Sequence, residues 1–382
     1  MVKLQEENDG FERNKSSFFQ AIGTPTRNTF SKFAKFGSEL VESYDWSGRP
    51  KPKLFRNVLL TPVALRKNAD ILDYLKELKD EGVIDNIMFD SGGFQVLTGS
   101  LESKGVTNLD DLHRHNEELY NENDWADIYI MPDHPPNLSD LYHDGFKRKI
   151  DDTVEASLKF FECLKPEVQD KVAPVFHLRK DQDIEYLYEA YKPMLDKSKF
   201  ASYSASSLTR PGSPRQLRGD ALVMLNELQK VLKKEEIGLH CLGISSPGAV
   251  FILHHMGIRT FDASTPIIGA GLGKVYFPYI GSISCSVLRD DDPNNMTEEK
   301  LKWARESSNH RCPFCEDVEP MKRGSEGEDV PGYLFRRMHN FCVLDELNWL
   351  YSDLNVELFE KLGIEQYKIF RTICDNKQIS FF

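Results

Sequence analysis

NVLLTPVALRKNADILDYLKELKDEGVIDNIMFD, residues 57–90, decides the fold. NVLL (57–60) is an apolar run of strand length. ALRKNADILDYLKELKDEG (64–82) is amphipathic and ends at Gly82, the residue that most readily stops a helix. NIMFD (86–90) is a second strand. Strands joined through a crossover helix lie parallel.

The same rhythm continues down the chain. Strands are expected at DIYIM (127–131), VAPVFH (172–177), FASYS (200–204), LHCLGI (239–244) and RTFDAS (259–264). Helices are expected at 109–122, 146–164, 183–195, 214–234 and from Pro247 to about Met256. So many strand–helix units predict a (β/α)8 barrel, which belongs to the α/β class. No glycine-rich dinucleotide or P-loop fingerprint follows any strand, which weakens an open doubly wound sheet.

Outside the rhythm the reading is coarser. Residues 1–54 are polar, broken by Pro25, Pro50 and Pro52, and read as a loosely packed lead-in to a catalytic barrel at 55–284. Residues 285–345 carry RDDDPNN, HRCPFC and MHNFC and read as a metal-stapled subdomain. The tail, 346–382, is expected to be helical and to dock on the barrel.

The chain has 382 residues, and 48 basic against 60 acidic side chains give a net charge of −12. That excludes a uniformly basic nucleic-acid coat but not a local basic groove. No apolar run approaches the ~18 residues of a membrane span, and the N-terminus lacks an apolar signal core, so a cytoplasmic protein is expected. Seven cysteines, an odd number, favour metal binding or packing over a disulfide frame.

Polar groups at the C-terminal ends of barrel strands point into the mouth. Asp90, Asp133 and Asp262 fall there. Each alone could be a helix cap, but three together can divide the roles of nucleophile, general acid/base and ligand anchor. In DSGGFQV (90–96), Gly92 and Gly93 would let backbone approach a flat ligand, and Phe94 offers a stacking face. His310, Cys312 and Cys315 form H-x-C-x2-C, and His339 follows on a helix. This is a strong zinc signal, and four protein ligands make the ion structural. Cys342, three residues after His339, competes for the fourth ligand position.

Three features in order carry a family resemblance: DSGGFQV, LGISSPGAVFILHHMGIRTFDAS (242–264), and the zinc cluster followed by His339-Asn340. Over roughly 57–345 the chain resembles the tRNA-guanine transglycosylase superfamily. The resemblance implies Asp262 as nucleophile on the anomeric carbon and Asp90 as general acid/base. It implies Asp133 as acceptor for the donor edge of a purine and Phe94 as its stacking partner. Ser91, Gly92, Gly93, Gln95, His177, Leu242 and Gly243 would complete the base pocket. His310 stands where the queuosine-type enzymes carry Cys.

The departures are specific. FASYSASSLTRPG (200–212) replaces a glycine-rich pocket segment, and Phe176-His177-Leu178 replaces Gln-Gly-Gly. TPIIGAGLGK (265–274) keeps Pro266 but lacks the arginine that grips tRNA phosphates. The chain is more similar to the branch that exchanges guanine in DNA for a 7-deazaguanine base, typically 7-cyano-7-deazaguanine. Resemblance to that branch implies an ATPase-like partner protein, and resemblance to the family as a whole a homodimer. Arg179, Lys180, Arg210, Arg215, Arg218, Lys322, Arg323, Arg336 and Arg337 are candidate phosphate contacts. A tRNA enzyme with an altered pocket, a non-catalytic subunit and an unrelated barrel hydrolase are the rival readings.

Overall fold

The computed structural model describes residues 17–22, 26–68, 70–136, 145–179, 181–204, 209–210, 213–217, 219–244, 247–258, 260–285, 293–323 and 332–350. Its strands, in chain order, begin with β1 (Ser17–Ala21), β2 (Asn57–Leu60), β3 (Asn86–Phe89), β4 (Ile128–Ile130), β5 (Val172–Ala173), β6 (Val175–Phe176) and β7 (Phe200–Ser204). A small hairpin follows, β8 (Thr209–Arg210) and β9 (Ser213–Leu217). The series ends with β10 (Gly238–Leu242), β11 (Thr260–Ala263), β12 (Lys274–Phe277) and β13 (Gly281–Ser284).

One parallel sheet runs in the order β5-β4-β3-β2-β1-β11-β10-β7-β6. Its two ends, β5 and β6, are halves of a single strand split at Pro174. Proline has no N–H to donate to a ladder, so the strand is interrupted there. The Pro174 carbonyl still accepts from Ser202 N at 2.9 Å. The sheet therefore closes on itself as an eight-stranded barrel.

The first strand corrects the sequence reading. Residues 1–54 are not simply a loose lead-in. SFFQA (17–21) pairs in parallel with β2 on one side and β11 on the other. A five-residue strand inside a polar stretch gives too short a signal for periodicity to reveal. The helix Arg27–Ser43 follows, its first turn capped by the Thr26 side chain, and it buries Phe30, Phe33, Ala34, Gly37 and Val41. A Cβ on Gly37 would lie 2.6 Å from Leu54 Cδ1 and 2.8 Å from Met338 Sδ. Glycine there sets how closely this helix approaches the helix Gly332–Leu350.

That last helix packs against β1 and the helix Pro247–His255, which places it in the eighth helical position around the barrel. It runs without a break across the boundary expected at 345/346. Its Asp345 accepts from Lys53 N at 3.1 Å and from Arg56 Nε at 2.9 Å. The rest of the expected docking tail, 351–382, lies outside the described residues.

Strand alternation sorts the core into two layers. Phe19, Leu59, Met88, Ile128, Ile130, Ala173 and Val175 fill the barrel interior. Their neighbours Phe18, Val58, Leu60, Ile87, Phe89, Tyr129, Phe176, Tyr203, Cys241 and Phe261 face the surrounding helices. The period of two then decides which polar residues face inward. Thr61 follows Leu59, Asp90 follows Met88, and His177 follows Val175. Asp262 is in register with Phe19, and His240 with Ser202. These polar groups form a layer above the apolar plug, at the C-terminal ends of the strands. Among the described residues, no helix is long and apolar enough to cross a membrane.

Candidate active site and metal centre

The nucleophile candidate, Asp262, is held through one oxygen. His240 Nε2 lies 3.1 Å from Asp262 Oδ1, and Gly243 N donates to the same oxygen at 3.0 Å. A carboxylate only accepts, so His240 carries its proton on Nε2. Gly243 has φ +79°, and this left-handed turn after β10 aims its N–H at the carboxylate. Among the described residues, neither of these bonds nor any other reaches Oδ2. One oxygen is thus anchored while the other is available to react.

Asp90 sits at the end of β3, only partly covered. Thr61 Oγ1 donates to its Oδ2 at 3.0 Å, and Gln95 Nε2 reaches the same oxygen at 3.3 Å. Burial pushes the Asp90 carboxyl up to about 6, and the nearby Asp262 charge pushes the same way, with Asp133 adding more. The Thr61 and Gln95 bonds oppose that shift without cancelling it. A carboxyl poised near neutrality can give and take a proton.

Asp133 is buried, with both oxygens engaged. Ser91 Oγ donates to Oδ1 at 3.1 Å and His177 Nε2–H to Oδ2 at 2.9 Å. Asn116 Nδ2 in turn holds the Ser91 carbonyl at 2.7 Å. Each carboxylate oxygen keeps a second lone pair for a ligand donor.

Several expected base-pocket residues act on these aspartates instead. A Cβ on Gly93 would lie 2.7 Å from Asp133 Oδ1, and one on Gly92 would lie 2.9 Å from Thr61 Cγ2. The two glycines therefore make room for Asp133 and Thr61. Gln95 Nε2 is likewise committed to Thr61, at 3.0 Å, and to Asp90. Leu242 packs at the edge of the barrel interior. Phe94 lies in the short helix Gly93–Leu97, and its side chain is outside the described residues.

The metal-ligand candidates converge. One ligand atom from each of His310, Cys312, Cys315 and His339 lies within 4.8 Å of the others, and all four residues are buried. The two sulfurs are 3.5 Å apart. Each imidazole is turned by its other nitrogen. His310 Nδ1 donates to the Glu346 carboxylate, so its lone pair is on Nε2, a buried atom with no hydrogen-bond partner. His339 Nε2 donates to the Tyr276 carbonyl at 2.6 Å, leaving Nδ1 beside Cys312 Sγ at 3.4 Å. Glu346 is steadied by Arg49, 3.6 Å away. Such outer partners fix the tautomer of a metal-binding histidine. The donor set fits a tetrahedral ion. Cys342, the rival fourth ligand, is buried but is not one of the four.

The subdomain starts earlier than expected, with the β12–β13 hairpin. Asn340 accepts from Tyr276 N at 2.8 Å and donates to the Pro266 carbonyl at 3.0 Å. His339 and Asn340, adjacent in sequence, therefore tie both the metal group and the segment after Asp262 to one helix.

Two of the candidate phosphate contacts are overturned. Arg336 is buried, its guanidinium donating to the carbonyls of Ala270 (2.7 Å) and Met321. Arg337 stacks over Phe33 at 4.5 Å and Phe341 at 5.4 Å. Both were drawn inward by helical parity that a run of basic residues conceals. Arg179 lies 5.2 Å over the Phe146 ring, and Lys322 and Arg323 close the short helix Val318–Lys322. Lys180 and Arg218, and the side chains of Arg210 and Arg215, lie outside the described residues.

Sequence reasoning missed His240, Thr61, Asn116 and Glu346. Strand parity flags the first two, since His240 lies two residues before Leu242 and Thr61 two after Leu59. Asn116 and Glu346 sit on helices and carry no such signal. No protein-family model matches the chain, and no curated protein matches it significantly.

Proposed function

We propose that the chain is a guanine transglycosylase that exchanges guanine in a nucleic acid, preferably DNA, for a 7-deazaguanine base. The observation that carries this is the division of labour between two aspartates at one barrel mouth. Asp90 is raised to about 6, while Asp262 is anchored at Oδ1 with Oδ2 open. Two carboxyl groups set apart by their surroundings are suited to proton transfer and to nucleophilic attack.

In the first half-reaction an Asp262 Oδ2 lone pair bonds to C1′ as the C1′–N9 bond breaks. The departing guanine takes the N9 electron pair and a proton from Asp90. In the second, Asp90 removes a proton from the incoming base. That base bonds to C1′ through N9, and the C1′–Oδ2 pair returns to the carboxylate. Asp133 accepts from the donor edge of the purine. The target nucleotide must leave its stack to enter such a mouth.

DNA is preferred because the segment 265–274 lacks the arginine of the tRNA enzymes, and its carbonyls are tied back to Asn340 and Arg336. We assign zinc to the His310–Cys312–Cys315–His339 group. It would hold the subdomain together, with no open position for chemistry.

The test is incorporation of labelled guanine into duplex DNA, single-stranded DNA and bulk tRNA, offered in parallel. Label in DNA, lost in Asp262→Asn, is the expected result. Label in tRNA alone would keep the chemistry and overturn the substrate. Label in none would overturn the proposal.

A further inference from the structure

His240 has no part in the sequence reading, yet its side chain hydrogen-bonds the candidate nucleophile directly. It is fully buried inside the barrel, edge-on to Phe19 at 5.7 Å. Its Nε2–H and the Gly243 N–H converge on one oxygen of Asp262.

That convergence matters to both halves of the exchange. In the glycosyl-enzyme, Oδ2 is bonded to C1′ and Oδ1 becomes an ester carbonyl. When the incoming base attacks C1′, the electron pair returns to the carboxylate and negative charge grows on both oxygens. Two preplaced donors on Oδ1 stabilise that charge as it develops, as an oxyanion hole does. The same donors weaken the free carboxylate as a nucleophile. They favour release over attack.

Building on the transglycosylase reading, we propose that His240 is a positioning residue that makes Asp262 a leaving group. It fixes Oδ2 as the attacking atom and speeds breakdown of the covalent intermediate.

A second observation extends the argument. With the proton on Nε2, His240 Nδ1 is an acceptor, and it is buried without a partner. Ser202 is its direct neighbour in register on β7, faces the same interior, and has a buried, unpartnered Oγ. Buried polar atoms left unpaired are costly, and ordered water commonly satisfies them. The hydroxyl of Ser202 is placed to donate through one water to Nδ1 and hold the tautomer that Asp262 requires. Ser202, His240 and Asp262 then form a hydroxyl–imidazole–carboxylate line in which the carboxylate is the reacting end.

The test follows formation and chase of the covalent adduct separately. A labelled, guanine-containing DNA oligonucleotide is mixed with the full chain, and the adduct is read on a denaturing gel. Guanine is then added as the incoming base. Four proteins are compared: wild type, His240→Phe, His240→Gln and Ser202→Ala. Phe keeps the ring packing against Phe19 but has no donor, and Gln retains an N–H at the ε position. In His240→Phe the chase is expected to slow on the order of a hundredfold, the usual cost of one such donor. Formation should not slow, because the carboxylate freed of this donor is the better nucleophile, so adduct accumulates under saturating guanine. His240→Gln should restore most of the chase rate, and Ser202→Ala should slow it by a smaller factor. Equal loss of both steps in His240→Phe, unrescued by Gln, would reduce His240 to packing and overturn the proposal. So would a chase rate matching wild type. Absence of adduct and of exchange in the wild-type chain would overturn the transglycosylase reading, and this role with it.

Discussion

The barrel mouth and the metal subdomain each contain two buried histidines, and the histidines do opposite things. In the subdomain, His310 and His339 give one nitrogen to a carboxylate or carbonyl and turn the other toward two sulfurs. In the mouth, His177 and His240 give Nε2 to Asp133 and Asp262, and their Nδ1 atoms have no partner. Among the described residues, only the subdomain brings its ligand atoms close enough to hold an ion. An imidazole becomes a metal ligand or a clamp for a carboxylate according to what its second nitrogen meets. The subdomain's four donors could close around an ion, whereas the imidazoles of the mouth are spent on carboxylates.

Removing the proposed ion is the strongest way to break that contrast. Cys312→Ser with Cys315→Ser, or chelation of the wild type, should cost several kcal/mol of stability, because binding energy at such sites is folding energy. Hydrogen exchange should rise first in the helices Glu298–Ser308 and Gly332–Leu350. The second of these also covers the barrel, so the melting temperature of the whole chain should fall. Unchanged stability on chelation would mean that the cluster is only packed.

Asp262→Asn should leave the ion and the fold in place and lower base exchange by at least a thousandfold. The amide is a poor nucleophile, and its loss removes the covalent step. A variant that retained exchange would transfer the nucleophile elsewhere.

Glu346→Gln sharpens the comparison from the other side. It weakens the partner that orients His310, and metal affinity should drop about 10–100-fold, as outer-partner losses usually do. Chelator competition measures it. The same affinity in wild type and variant would show that His310 needs no orienting carboxylate.

The smallest expected effect is a pH-dependent gain in stability in Asp90→Asn. The folded carboxyl is raised from 3.8 to about 6, so the folded state binds more protons than the unfolded one between those values. Wild-type stability therefore falls as pH rises through that window. The neutral amide escapes this, and the variant should be more stable by about 1–2 kcal/mol above pH ~7, after allowing for solvent at the mouth. Below pH ~4 the gain should vanish. Thermal melts across that range test the sign.

The barrel was legible because most of its strands and helices alternate with clear periods, from NVLL through to RTFDAS. β1 escaped because five residues, three of them polar or small, carry too little pattern. The aspartates and the four metal-ligand candidates were legible as strand-end and spacing signals. Their supports were not. Strand parity turns Thr61 and His240 inward, but their partners, like those of Asn116 and Glu346, lie in segments distant in sequence, which no local period encodes. Gly93 and Gln95 stand out in the sequence, but the atoms they contact belong to Asp133, Thr61 and Asp90, which only the closed barrel brings alongside.

The proposed exchange requires Asp262 to form a bond that Asp90 helps to make and break. The most direct measurement is peptide mapping by mass spectrometry after the chain is quenched with a guanine-containing DNA oligonucleotide and no incoming base. The expected result is a nucleotide adduct on the peptide carrying Asp262, released when guanine is added before the quench. An adduct on another residue, or exchange proceeding with no adduct at all, would contradict it.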